Sequence, residues 1–335
     1  MRVGVSSCLL GNQVRYDGQH KRDDFVCDVL GKFVELVPIC PEVELGMGIP
    51  REPVRLVKQG ERSRMVGVKT ERDFTGAMVA WADRRVRALV AEGLSGYVLK
   101  KDSPSCGMAR VKRYARQVDA PPTRDGTGLF AEALQRHLPN LPVEEEGRLN
   151  DVGVRENFLE RVFAYHRWRT LIAGRWTVGA LVAFHTAHKL ALLAHSPEAY
   201  RRLGHLVGEA KRLPRAELRD RYEAAFMAAL RRPATRGRHS NVLQHMVGYF
   251  KKTLDQPARR ELQDLIAQYR EGLVPLVVPL ALLRHHVSRL DVAYLADQVY
   301  LSPHPEVLRS IGWVASRAIP AEGRSESTAR RGGKK

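Results

Sequence analysis

Three cysteines in this chain stand where short apolar runs end. Cys8 closes Val3-Gly4-Val5-Ser6-Ser7-Cys8, and Cys40 closes the run from Phe33. Cys106 lies in a turn of small residues, Lys100-Lys101-Asp102-Ser103-Pro104-Ser105-Cys106-Gly107, directly after Gly96-Tyr97-Val98-Leu99. Each run reads as a short strand. In open α/β sheets ligands gather outside the carboxyl ends of the strands, so three thiols delivered this way point to one shared site. Cys27 lies between a charged segment and Val29-Leu30 and has no such placement. The residue types leave several chemistries open. Zinc sites carry closely spaced cysteine pairs, and this chain has none. A catalytic thiol needs one cysteine and a histidine. An iron–sulfur cluster tolerates wide spacing but normally takes four cysteines, so three would leave one iron open to a soft ligand. Three unconnected buried thiols are the alternative to any shared site.

The elements that must position these groups alternate through residues 1–147. A polar stretch runs from Gly11 to Asp24, and Pro41 to Pro53 is too rich in Gly and Pro to be regular. Val54-Arg55-Leu56-Val57 and Met65-Val66-Gly67-Val68 flank Gly60 as a hairpin. Thr75 to Glu92 has one apolar face, Gly128 to His137 is a second helix, and Leu141-Pro142-Val143 is a last short strand. The order is that of an α/β domain with a mostly parallel sheet. From Asp151 strand signals vanish. Helices are expected over Val154 to Trp168, Thr177 to Ala194, Pro197 to Lys211, Arg215 to Leu230, Val242 to Leu254 and Ala258 to Gly272. Leu280 to His286 and Val292 to Val299 add two more. The expected division is an α/β domain over 1–147, a linker or connecting helix over 148–176, an all-α domain over 177–315 and a disordered basic tail over 316–335.

The formal net charge of +18, from 55 Lys and Arg against 37 Asp and Glu, suits a polyanionic partner held through its phosphates. A membrane surface fits less well, because neither end carries a basic amphipathic anchor. No apolar run is long enough to span a bilayer, and strand-like sequence begins at Arg2 in place of a leader. The expectation is a soluble cytoplasmic protein with no obligate protein partner, in which four widely spaced cysteines are poor disulfide candidates.

Three blocks in order resemble the thiouracil desulfurase family: Ser7-Cys8-Leu9-Leu10-Gly11 with Val14-Arg15-Tyr16-Asp17-Gly18, Cys40-Pro41-Glu42 with Pro50-Arg51-Glu52-Pro53, and Lys101-Asp102-Ser103-Pro104-Ser105-Cys106-Gly107. In the second half, Phe184-His185-Thr186-Ala187-His188-Lys189 with Leu193 to Pro197, and Asn241-Val242-Leu243-Gln244-His245 with Gly248 to Lys251, resemble the helical domain often fused to such desulfurases. The fused arrangement is similar to desulfidases that convert 4-thiouridine in tRNA to uridine. The resemblance implies a 4Fe–4S cluster held by Cys8, Cys40 and Cys106 with one iron open to the thiocarbonyl sulfur. It also implies a non-redox hydrolysis that releases sulfide. Glu42 is then the expected base for water, with Glu44 as its alternative, and Ser103 the residue that positions or relays a proton. Each has a plainer reading, Glu42 as a turn cap and Ser103 as a shaper of its turn. Tyr16, Asp17 and Arg51 are the expected substrate contacts, by stacking, by holding the base edge and by reaching phosphate. A chain ending near Gly147 is expected still to assemble the cluster. The competing activities are desulfuration of free 2-thiouracil or a related thiobase, and nucleic-acid binding around a purely structural cluster.

In the helical half, His185, His188, His195 and His205 fall near one surface, as packing histidines or as a polar face toward RNA, with a metal site disfavoured for want of a nearby carboxylate or cysteine. Arg231, Arg232, Arg236, Arg238, Lys251 and Lys252 interleave with Tyr249 and Phe250, which suits phosphate contact plus stacking, or a merely solvated face.

Overall fold

The computed structural model describes residues 1–115, 120–305 and 308. The expected tail over 316–335 and the end of the expected helical domain, 309–315, lie outside the described residues. Eight strands form two sheets among the described residues: β1 (Arg2–Ser6), β2 (Glu35–Ile39), β3 (Val54–Gln59), β4 (Arg62–Gly67), β5 (Leu94–Leu99), β6 (Val111–Tyr114), β7 (Thr123–Gly126) and β8 (Val143–Glu145). The first sheet has the order β2-β1-β5-β8, all parallel. Its central strands are buried on both faces, as a parallel sheet requires. On one face lie α2 (Thr75–Glu92) and α3 (Leu129–His137), which follow the four-residue helix α1 (Pro41–Glu44) in the chain. Met78, Trp81, Val86, Leu89, Phe130 and Leu134 from these helices pack with Tyr97 and Leu99 in one core.

The opposite face is covered from outside the expected domain. Residues 148–176, expected as a linker or connecting helix, contain α4 (Val152–Ile172). Its Phe158, Leu159 and Val162, with Leu149, pack with Val3, Val5 and Val98 of the sheet and with Val26 and Leu30 of the segment before β2. A chain ending at Gly147 would lack this layer and leave Val3, Val5 and Val98 in water. The same helix joins the second half. Trp168 stacks on Tyr222 with ring centroids 5.0 Å apart, and its indole N–H donates to Glu223 at 2.7 Å.

The second sheet, in the order β4-β3-β6-β7, is mixed: β3 pairs antiparallel with β4 and parallel with β6, and β6 pairs antiparallel with β7. The β3–β4 hairpin turns at Gly60, whose positive φ of 59° suits glycine. Here the expectation of a single mostly parallel sheet needs extension. Strands β6 and β7 escape pattern reading because Lys112, Arg113, Arg124 and Asp125 break any apolar alternation, and of β6 only Val111 is buried. Register is carried instead by backbone pairing and by Arg113, whose guanidinium grips Asp125 at 2.9 and 2.7 Å.

The remaining helices are α5 (Val178–His195), α6 (Pro197–Gly208), α7 (Arg215–Arg231), α8 (Arg236–Gly248), α9 (Gln256–Glu271), α10 (Val277–Arg289) and α11 (Ala293–Ala296). Polar caps start four of them. Thr177, Ser196, Thr235 and Asp255 each accept a hydrogen bond from the backbone N–H three residues on, satisfying a donor the helix cannot. The Thr235 cap explains why α8 begins six residues before the expected Val242. Helices α5 to α7 share the core of the first sheet through Leu181, Leu203, Tyr222 and Phe226. A separate core forms from α8 to α10 against one side of α5, around Leu243, Met246, Phe250, Leu262 and Leu283. Among the described residues no helix is long and apolar enough to cross a membrane.

Candidate active site

The carboxyl ends of all four parallel strands open into one cavity of about 960 Å³, bounded on its far side by β3 and β6 of the second sheet. Cys8, Cys40 and Cys106 all line it, as do Glu42, Arg51, Ser103 and Tyr16. Cys27, Glu44 and Asp17 are not on its wall.

Each thiol is fixed by local backbone chemistry. Cys8 lies in a 3₁₀ turn, Ser7–Leu10, that ends at Gly11 in the left-handed region (φ 90°), and its carbonyl accepts from the N–H of Lys21 at 2.9 Å. Cys40 caps α1 in an extended conformation, with Pro41 at the first helical position, where a missing N–H costs nothing. Its thiol lies 3.5 Å from the Glu42 carboxylate and 3.8 Å from the carbonyl of Val14. Cys106 sits in a loop pinned from two sides. The Ser103 hydroxyl accepts from the N–H groups of Ser105 and Cys106 at 3.2 and 3.1 Å. The first turn of α3 then donates to the loop carbonyls, Leu129 to Pro104 at 3.1 Å and Phe130 and Ala131 to Ser105 at 3.0 and 3.1 Å. This close docking requires Gly128, where a Cβ would lie 2.5 Å from the Ser105 carbonyl carbon.

Burial pushes all three thiols up, and the Glu42 carboxylate adds to the rise. Cys8 is pushed to about 11 and Cys40 to about 12, with Lys100 and Arg15 opposing the rise at Cys8. Cys106 stands well above its ordinary value, and Cys8 and Cys40 are among the charges acting on it. Three such sulfurs beside a carboxylate can ionise together only when a cation sits among them. Among the described residues no three His, Cys, Asp or Glu side chains converge on a single ion position, while the cavity has room for a larger body. Three soft sulfur donors facing a roomy cavity fit an iron–sulfur cluster.

The other expected residues separate. Glu42 is buried and lies 3.9 Å from Arg51, whose guanidinium also donates to the carbonyls of Val14 and Gly48, both at 3.0 Å. Arg51 therefore ties Glu42 to the cavity wall through one edge of its guanidinium. Glu44, the alternative base, is turned onto α2, where Arg85 pairs with it at 3.1 Å. Tyr16 is exposed at the mouth under the Arg15 guanidinium. Asp17 accepts from the Gln19 N–H at 3.1 Å and pairs with Arg15, so it builds its own turn and not the cavity wall. Cys27 donates to the carbonyl of Leu9 at 3.4 Å. Among the wall residues not singled out in the sequence, two form a pair. Lys100, just past β5, and Glu146, just past β8, pair at 2.5 Å inside the cavity. Their signal is the one that marked the cysteines, a polar residue directly beyond a buried strand.

Three of the four histidines singled out in the second half are packed and hydrogen-bonded. His185 meets the Tyr222 hydroxyl at 3.1 Å, and His188 bonds the carbonyl of Phe184 at 2.7 Å. His195 bridges the carbonyl of Arg232 and the carboxylate of Glu160, at 2.6 and 3.0 Å. All three are buried, whereas His205 is exposed. Of the two aromatics expected on a stacking surface, Phe250 is core, while Tyr249 is exposed and stacks on Tyr294 at 5.0 Å.

Compared with known proteins, residues 3–146 match the family described as 2-thiouracil desulfurase, and residues 189–305 match the family described as "Protein of unknown function (DUF1722)". The chain is 34% identical over 154 residues to "Uncharacterized protein YbgA" of Escherichia coli (strain K12), covering 46% of this chain and 91% of that protein. It is 31% identical over 109 residues to "Uncharacterized protein YbbK" of Bacillus subtilis (strain 168), covering 31% of this chain and 71% of that one. A solved structure of the "[4Fe-4S]-dependent thiouracil desulfidase TudS" is 33% identical, covers 44% of this chain and 92% of its own, and superposes with a TM-score of 0.37.

Proposed function

We propose that this chain, which belongs to the 2-thiouracil desulfurase family through residues 3–146 and to the DUF1722 family through residues 189–305, is an iron–sulfur-dependent desulfidase that hydrolyses the thiocarbonyl of a thiolated pyrimidine. One observation carries the reading: three thiols and a buried carboxylate share the wall of a single cavity at the carboxyl ends of parallel strands. Cys8, Cys40 and Cys106 would hold a 4Fe–4S cluster. Such a cluster, one iron short of a protein ligand, supplies a Lewis acid with a preference for sulfur over oxygen.

The chain's own residues supply the proton chemistry. Glu42 takes the proton from the attacking water, and Arg51 keeps its carboxylate turned toward the cavity. Ser103 accepts two backbone N–H groups, which fills its oxygen's acceptor sites and leaves the O–H free to donate to the heterocycle. Tyr16 offers a face at the mouth for the ring to lie against. Asp17 acts one step back, by holding Arg15 and the turn that carries Tyr16.

Free 2-thiouracil or a related thiobase is the first substrate to test, since the cavity groups named above suffice to bind a small heterocycle. A second reading, 4-thiouridine within tRNA, is favoured by the formal charge of +18 and by exposed Tyr249, stacked on Tyr294 and followed in the chain by exposed Lys251 and Lys252. Protein reconstituted with iron and sulfide without oxygen is given 2-thiouracil and, separately, thiolated tRNA, and released sulfide is measured. Sulfide from neither ends the desulfidase reading. Release from tRNA alone, with binding that weakens roughly 10³-fold between 50 and 200 mM salt, would select the second reading.

A further inference from the structure

We propose that Lys100, held by Glu146, is the cavity's cationic donor to the departing sulfur; the assignment rests on the desulfidase reading above. Lys100 directly follows β5 and Glu146 directly follows β8, so two neighbouring parallel strands deliver the pair to the place where β1 and β2 deliver thiols. The ammonium nitrogen lies 2.5 Å from Glu146 Oε1 and 3.2 Å from the carbonyl of Lys101. Glu146 is itself anchored, since its Oε2 accepts from the Lys101 N–H at 2.8 Å. The backbone of Lys100 is tied to the end of β1, its N–H donating to the Ser6 hydroxyl at 2.9 Å.

The pair is shielded, with side-chain exposures of 16% for Lys100 and 10% for Glu146. Of the other wall cations, Lys21, Lys101, Lys112 and Arg22 are exposed, Arg15 pairs with Asp17 and Arg55 with Glu71 outside the cavity wall, and Arg51 lies against Glu42. An ammonium has three N–H donors. Two are met by protein oxygens, and the third remains for a molecule in the cavity. Lys100 shares the cavity wall with Cys8, and its charge opposes the rise of that thiol.

In the hydrolysis the water oxygen bonds to the ring carbon and the carbon–sulfur bond breaks. Sulfur leaves with the electron pair as hydrosulfide, carrying one proton of the water, and the other proton passes to Glu42 and on to solvent. Negative charge therefore collects on sulfur in a half-buried space. A fixed ammonium that keeps its own proton stabilises that charge as it forms, whereas substrate with its neutral thiocarbonyl gains less. Lys100 touches the leaving atom in this scheme; Glu146 acts through Lys100 and is a positioning residue.

The test uses the full chain, loaded with cluster without oxygen, as wild type, Lys100→Met, Lys100→Arg and Glu146→Gln. Iron content, the affinity for added hydrosulfide read from the visible absorption of the cluster, and kcat and KM for 2-thiouracil are measured on each. Lys100→Met is expected to keep its iron, to bind hydrosulfide about tenfold or more weakly, and to lose kcat by about ten- to a hundredfold with KM nearly unchanged. Lys100→Arg should recover part of both losses, and Glu146→Gln should show smaller ones. Wild-type hydrosulfide affinity and kcat in Lys100→Met overturn the assignment, and so does a lowered unfolding temperature as that variant's only change. A wild-type protein that releases no sulfide defeats the desulfidase reading itself, and the assignment falls with it.

Discussion

Helix α4 crosses β5 so closely at Gly96 that a Cβ there would sit 2.6 Å from Val162 Cγ2 and 3.4 Å from the carbonyl of Pro142. Gly96→Ala therefore forces an overlap that neither side can relieve by turning a flexible chain, because Val162 is fully buried and stiff at χ1. Overpacking of this kind costs about 1–3 kcal/mol. Val162→Ala removes two methyl groups from the same place and costs about 2 kcal/mol in transfer and cavity terms. In the double variant the new methyl occupies part of the space the valine vacated. Its loss should then fall short of the sum of the single losses by roughly 1–2 kcal/mol. Urea unfolding followed by tryptophan fluorescence and far-ultraviolet dichroism gives the midpoints. Because β5 runs directly into Lys100 and the Cys106 loop, Gly96→Ala should also retain less iron after reconstitution, and the double variant should recover it. Full additivity, or a Gly96→Ala protein as stable as wild type, would refute the view that α4 is a wall of the sheet that carries the thiols.

Further predictions follow from the same geometry. Cys8→Ser, Cys40→Ser and Cys106→Ser should each abolish iron loading measured by metal analysis, whereas Cys27→Ser, which alters a thiol off the cavity wall that donates to the Leu9 carbonyl, should load normally. Glu42→Gln should keep its iron and lose roughly a hundredfold in kcat, while Glu44→Gln, altering a group paired with Arg85 off the cavity, should turn over like wild type. A pH dependence of stability is built in at His195. Burial works against its charge, but the Glu160 carboxylate and its hydrogen bond raise the imidazole above the ordinary histidine value, and Glu160 is held down to about 2. A raised histidine contributes fully below its unfolded value and loses that contribution as pH rises through the folded one. The unfolding temperature should accordingly fall as pH rises above the ordinary histidine value in wild type and lose that component in Glu160→Gln; identical pH profiles for the two would sink this account.

Much of the site was legible in the chain because a strand's carboxyl end is a local feature. An apolar run followed by small and polar residues marks where a parallel strand stops, and Cys8, Cys40 and Cys106 each stand at such a stop. Helices with one apolar face were equally readable, since their period is written in adjacent turns; Thr75–Glu92 has the bounds expected of it. Other questions were open in the sequence because they depend on what lies across a gap in the chain. Glu42 and Glu44 are two residues apart and alike in type, and only the packing of α1 against α2 gives Glu44 to Arg85 and leaves Glu42 beside Cys40. Lys100 and Glu146 are 46 positions apart and become a pair through the adjacency of β5 and β8. The charged strands β6 and β7 carry no apolar alternation and exist by pairing with β3 and with each other. The largest difference is α4. Its sequence reads as a helix and nothing more, because periodicity reveals a buried face without naming the surface that buries it. The fold presses that face on β1 and β5, and so makes a segment outside the expected domain part of the sheet that holds the site.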